Sequence, residues 1–197
     1  MNINTIIERN NQTITCLNAN DYLAAIDSSS MLLRSLLQGS EIMNLSESDD
    51  GELRLDDERY ESGGVDHLDQ HMLVSAVNEC RSSVHDTNSA FIYDHGIPIS
   101  PSVAVDAATL SAIAIFNAAL AYHLAAESGE SLTPSESLQK AQRLYHLGYQ
   151  ADAMSQSRLF QFAVINNLAV VERRLGNTAL SYGYYDYLSS MLEPWED

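Results

Sequence analysis

Lysine is almost absent from this chain: Lys140 is the single one among 197 residues. With nine arginines set against 27 acids, the formal charge is −17. Nucleic acids and anionic membranes are recognised through clustered basic side chains, so this balance argues against both and leaves a protein or peptide as the expected partner, preferably a basic one. Cysteine is scarce too. Cys16 and Cys80 form no Cys-x-x-Cys motif and are too few for a disulfide framework. The first residues, Met-Asn-Ile-Asn-Thr-Ile-Ile-Glu-Arg, contain no basic stretch followed by an apolar one, so no secretory signal is expected. A reducing, intracellular setting, cytoplasmic or nuclear, follows as the expectation.

The signatures of chemistry are missing as well. No Gly-x-x-x-x-Gly-Lys loop or Gly-x-Gly-x-x-Gly turn is present to cradle phosphates. No Gly-x-Ser-x-Gly elbow raises a nucleophile. Asp66-His67-x-Asp69-x-His71 spaces two histidines at i and i+4, one helical turn apart, but only Glu79 and Cys80 stand nearby as further ligands. No metal centre, no cofactor and no catalytic activity are therefore expected, since no nucleophile–base pair can be nominated.

What the chain does have is a long alanine-rich apolar run, Asp106 to Ala126. Alanine is the best helix former, and its small side chain lets neighbouring helices approach closely. The run is long enough to span a bilayer. Thr109, Ser111, Asn117 and His123 interrupt it, however, and no aromatic belt or Lys/Arg asymmetry flanks it, so a buried helix of a soluble core is expected.

Apolar periodicity predicts further helices on either side. One covers 3–17. A second runs from about Tyr22 to Gln38, entered through Asn20-Asp21 and closed by Gly39. After the central helix, helices are predicted from Ser135 to about Gln150, from Ser155 to Leu175 and from Thr178 to Leu192, with Gly176-Asn177 as a turn and Pro194 as a stop. The intervening stretch differs. Between Glu41 and Asp69 eleven acids face two arginines, a composition unable to bury enough apolar surface to offset chain entropy. The chain thus divides into a helical hairpin (1–39), an acidic, partly disordered insertion (40–105) and further helical hairpins (106–197). Within the insertion, 68–82 fits helix or strand equally. Ala90-Phe91-Ile92-Tyr93 reads as a strand, Asp94-His95-Gly96 as a turn and Ile97-Pro98-Ile99 as an extended segment, which together allow a short β-hairpin. Its apolar side chains are costly to leave in water, so 90–100 is expected to tuck against the central hairpin near Phe116 and Leu120, along the helices as an internal ligand or beside them as that hairpin.

The hairpins share a pattern. In the last one Ile165, Leu168-Ala169, Ser181 and Tyr185 occupy successive slots around the Gly176-Asn177 turn. In the middle one these are Ile115, Ala118-Ala119, Tyr122, Ala141 and Tyr145, with ten extra residues in the turn. In the first, Asn20-Asp21-Tyr22-x-x-Ala25 supplies the turn, while Arg9, Thr13 and Ser29 depart from the pattern. An asparagine recurs at one equivalent place in the first helix of each hairpin: Asn11, Asn117 and Asn167. Over about 120 residues the chain resembles a degenerate tetratricopeptide repeat protein, whose signature is a 34-residue helix–turn–helix.

That resemblance implies a mainly α fold of helical-hairpin repeats wound as a right-handed superhelix, and a protein- or peptide-binding scaffold without catalysis. A structural subunit of a larger assembly is the alternative, and an enzyme or its regulatory subunit a more distant one. Such families bind partners on the face lined by the first helix of each hairpin. By resemblance, the groove residues are Asn10, Ile14, Phe116, Leu120, His123, Asn166, Val170 and Arg173. Asn10 stands where members that clamp a terminal carboxylate carry lysine, so carboxylate clamping is not expected. The tyrosines at 182, 184, 185 and 187 spread around the last helix, with Tyr185 in a core slot and the others open to a surface or interface role.

Overall fold

In a computed structural model the structure describes residues 3–39, 92–99, 107–150 and 157–191. They form six helices and one extended segment. The helices are α1 (Ile3–Asn18), α2 (Tyr22–Gly39), α3 (Ala107–Ser128), α4 (Pro134–Tyr149), α5 (Arg158–Arg174) and α6 (Thr178–Ser190). The fold is mainly α, and no strand occurs among the described residues. The acidic stretch 40–91 lies outside the described residues, and with it the helix-or-strand segment 68–82, the His67/His71 pair and Cys80.

Three left-handed residues reverse the chain. Asn20 (φ 58°), Gly129 (φ 78°) and Gly176 (φ 89°) stand between α1 and α2, α3 and α4, and α5 and α6. Only glycine, and asparagine at small cost, takes this conformation readily. The first and last turns are built alike. The Asp21 N–H donates to the Cys16 carbonyl (2.9 Å) and the Asn177 N–H to the Glu172 carbonyl (2.8 Å), the long bond of a Schellman motif. Asp21 then caps α2, its Oδ1 accepting from the Ala24 N–H at 3.1 Å. The α4 start lies one residue before the expected Ser135. Pro134 opens the helix and Thr133 precedes it without a side-chain bond, because a proline φ is already helical and its missing N–H is not needed there.

Each helix packs on the next in sequence, and α1 also touches α3. The first hairpin therefore stacks directly on the second, although more than sixty residues separate them in the chain. Small side chains sit where helices approach. Ala118, Ala119, Ala121, Ala141, Ala163 and Ala169 have no exposed surface at all. At the α5–α6 crossing the Ser181 hydroxyl donates to the Ala169 carbonyl at 2.8 Å. The α1–α2 crossing uses hydroxyls instead: Thr13 donates to Ser28 Oγ at 3.1 Å, and both sit against the Arg9 carbonyl. On α6, Ser181, Tyr184 and Leu188 form the buried face. Tyr184, rather than Tyr185, fills the deeper position, because the face repeats at i, i+3 and i+7; Tyr185 is half-buried and Tyr182 is exposed.

The residues of α3 explain its composition. By length and composition it alone, among the described residues, is apolar enough to cross a membrane, yet most of it is buried against its neighbours here. Phe116, Leu120 and the alanines belong to the main core, whereas Leu110, Ile113 and Ala114 join Ile6, Ile7 and Leu32 in a second core near the first hairpin.

Candidate functional site

The first helices of the three hairpins, α1, α3 and α5, share one face, and the segment 92–99 lies across it. The segment visits them in reverse order, α5 first and α1 last. At α5, the Tyr93 N–H donates to Asn167 Oδ1 (2.8 Å) and Asn167 Nδ2 donates back to the Tyr93 carbonyl (3.0 Å). At α3, the Ile97 N–H donates to Asn117 Oδ1 (2.8 Å) and Asn117 Nδ2 to the Ile97 carbonyl (2.9 Å). At α1, the Ile99 N–H donates to Asn11 Oδ1 (3.1 Å) and Asn11 Nδ2 to the Ile99 carbonyl (3.0 Å). Asn10 adds a second donor to the Ile97 carbonyl at 3.2 Å, and its Oδ1 accepts from Asn117 Nδ2 at 2.9 Å.

A carboxamide that accepts from one residue's N–H and donates to the same residue's carbonyl does what a neighbouring strand would do. This is why no β-hairpin forms over the described part of 90–99. The pairing that a sheet partner would supply comes from side chains, and the chain runs extended straight through Asp94-His95-Gly96 without turning back.

Side chains of the segment divide by the same geometry. Ile99 is buried in the second core with Ile6, Ile7 and Leu110. Ile92, Tyr93 and Ile97 pack on the main core, and the Tyr93 ring meets Phe116 edge-on with centroids 6.3 Å apart. Asp94, His95 and Pro98 face outward. Gly96 crosses α1 so closely that an added Cβ would stand 2.9 Å from Ile14 Cγ1 and 3.3 Å from Leu17 Cδ1.

Behind the asparagines lies a second polar layer. The remaining Asn167 amide hydrogen goes to Tyr145 Oη (3.0 Å), and Asn166 Nδ2 donates to Asn167 Oδ1 (3.2 Å). Tyr145 Oη is 3.4 Å from His123 Nδ1. Tyr145 Oη thus links Asn167 to His123 Nδ1, and the other ring nitrogen is Nε2. That atom is buried with no partner among the described residues. Burial first, and the nearby Arg174 charge second, bring the His123 pKa down to about 3. Burial likewise pushes the Tyr145 phenol up, against the opposing bond from Asn167. The whole layer is therefore uncharged at neutral pH.

The eight residues expected to line a groove fall into three groups. Asn10 holds the segment directly, Ile14 lies beneath Gly96, and Phe116 carries Tyr93. Leu120, His123, Asn166 and Val170 are buried one layer below. Arg173 is half-buried near the end of α5. Asn11, Asn117 and Asn167, which make the paired contacts, are missing from that set. Their recurrence at one helical place was the signal that could have found them.

One further cluster ties the last two hairpins together. Glu172, 1% exposed, accepts from Gln142 Nε2 and from Asn177 Nδ2, each at 2.7 Å, with His146 Nε2 at 3.9 Å. Burial works to raise its pKa, but His146, Gln142 and Asn177 outweigh it and hold the carboxyl below its ordinary value. No group of three or more His, Cys, Asp or Glu side chains that could hold a metal ion gathers among the described residues.

Comparison with known proteins gives no match of any kind: no protein-family model, no curated protein and no solved structure is significantly similar to this chain.

Proposed function

We propose that this chain is a protein- or peptide-binding scaffold, and that the shared face of α1, α3 and α5 receives an extended segment. The row of asparagine–backbone pairs carries this reading. A carboxamide addressed to main-chain N–H and C=O groups is a device for holding an extended peptide whatever its side chains. The tetratricopeptide-like arrangement of hairpins is part of the same proposal, supported by the matching turns at Asn20 and Gly176 and by the asparagine that recurs on each first helix. Selection of a random peptide library displayed on phage tests it. Peptides enriched on the wild-type chain or on a Gly96→Val variant should lose binding when Asn117 is replaced by leucine. Absence of enrichment on both chains would overturn it.

A second reading, a structural subunit, draws on apolar side chains left exposed on the outer helices, Leu23 and Met31 of α2 and Leu180 and Tyr182 of α6. Self-association measured by light scattering, and abolished by Met31→Glu or Leu180→Glu, would favour it.

A further inference from the structure

Stacked hairpins are held by their neighbours, so a hairpin at the end of a stack is free to open before the rest. Here α1 and α2 both pack on α3, and no extensive packing joins them to α5 or α6 among the described residues. The segment 92–99 spans that gap. Tyr93 is paired with Asn167 on α5, Ile97 with Asn117 on α3 and Ile99 with Asn11 on α1. Main-chain pairs spaced this closely act as one multivalent contact, since each holds the next near its partner.

The seam between α1 and α3 depends on the same segment. Asn10 and Asn117 have no exposed surface there, bond to each other at 2.9 Å, and both donate to the Ile97 carbonyl. Gly96 sits in the seam: an added Cβ would stand 2.9 Å from Ile14 Cγ1 on α1 and 3.5 Å from Asn117 Oδ1 on α3. Ile99, 2% exposed, completes the second core with Ile6 and Ile7 of α1, Leu32 of α2 and Leu110 of α3. Lifting the segment away takes Ile99 out of that core and leaves the seam's amides to water, so the seam loosens as the segment leaves.

We propose that 92–99 is a strap with two states, seated and released, through which α1 and α5 are coupled. Seated, it ties the first hairpin to α5, so a lesion at either end of the strap is felt at the other. Released, it frees the first hairpin to open while α3 to α6 stay packed. The coupling runs through one discrete element whose equilibrium both ends bias, not through direct packing of α1 on α5. It acts within a single chain and needs no outside peptide.

The test is amide hydrogen exchange, read residue by residue on the full chain. In wild type, the Tyr93, Ile97 and Ile99 amides are expected to open in one event, with one urea dependence, and faster than the amides in the middle of α5. Asn167→Leu should speed exchange at Ile99 and across α1 about tenfold or more, and Asn11→Leu should do the same at Tyr93. The double variant should exchange at those sites within about threefold of the faster single variant, because one lesion has already released the strap. Gly96→Val, with every asparagine intact, should speed exchange across α1 in the same way. Different urea dependences at Tyr93 and Ile99 in wild type, or their opening together with α5, overturn the strap without recourse to any variant. So does an unchanged far end in either single variant, or a double variant whose fold-change is the product of the two singles, as independent lesions would give. Unchanged α1 protection in Gly96→Val would show that the first hairpin does not depend on the strap, which also overturns it.

Discussion

Two buried polar sets share α5 and do different work. The asparagine set reaches across 20 to 107 residues of sequence and addresses the main chain of a separate segment. The Glu172 set reaches across 30 residues or fewer and ties α4 to the α5–α6 turn through side chains. The first is neutral throughout, the second centres on a carboxylate. A neutral amide row can hold a chain and release it into water, where both sides find new partners at modest net cost. A buried carboxylate cannot lose its donors so cheaply. The difference separates bonds that water can replace from a joint whose charge must keep its donors.

The largest expected effect tests the exchangeable set. Asn167→Leu strips Tyr93 of both its main-chain partners and Tyr145 of a donor, which should cost about 2–4 kcal/mol in urea denaturation. Release of 92–99 into water caps the loss at the segment's own docking energy. A loss of stability well beyond that range would show that the segment is as permanent as the Glu172 joint. Next comes the α5–α6 crossing. Ala169→Leu forces the helices apart and breaks the Ser181 bond, and Ala119→Leu overpacks the α3 side, each costing about 1–3 kcal/mol. An unchanged melting temperature in both would mean that these are not the tight crossings.

Acid should distinguish the two sets by the pH at which each responds. The His123 pKa of about 3 lies below the value of about 6.5 in the unfolded chain. As pH falls through that window the unfolded state takes up a proton and the folded state does not, so stability drops, by about 2 kcal/mol between pH 7 and pH 5. His123→Phe should flatten this part of the profile. Glu172 is also lowered, so its contribution is complete above the unfolded value of about 4.3 and is lost only as pH falls below it. Glu172→Gln should remove that later acid limb, and should cost about 1 kcal/mol at neutral pH by turning an amide hydrogen toward Gln142 or Asn177. Identical acid profiles for the two variants would erase the distinction between the sets.

Helices were legible in the sequence because apolar spacing and turn residues agree. The ends at Asn20 and Gly176 were readable from their conformational freedom. Tyr184 was misplaced by one residue relative to Tyr185, since four tyrosines within six positions blur the apolar face of a short helix. The asparagine recurrence was also visible, but as a mark of repetition. That each amide pairs with a particular residue of 92–99 was not readable, because a bond to the main chain leaves no signature in the side chain of the residue held. Gly96 and Pro98 carry the trace that remains, one by what it leaves out in volume and the other by the hydrogen it lacks. Glu172 sits inside an apolar run, where a lone acid gives no hint of the Gln142 and Asn177 donors that surround it.

The reversed order in which 92–99 visits its helices has a consequence for synthesis. Tyr93 leaves the ribosome 74 residues ahead of Asn167. At about 5–20 residues per second, that interval is roughly 4–15 seconds. Early in it only Asn10 and Asn11 exist to receive the segment, at Ile97 and Ile99, and Asn117 follows 20 residues after Ile97. The nascent chain can therefore pair Ile97 and Ile99 before α5 is made, and Tyr93 only after it. The occupant thus precedes most of its seat, and every molecule whose seat is complete already carries it.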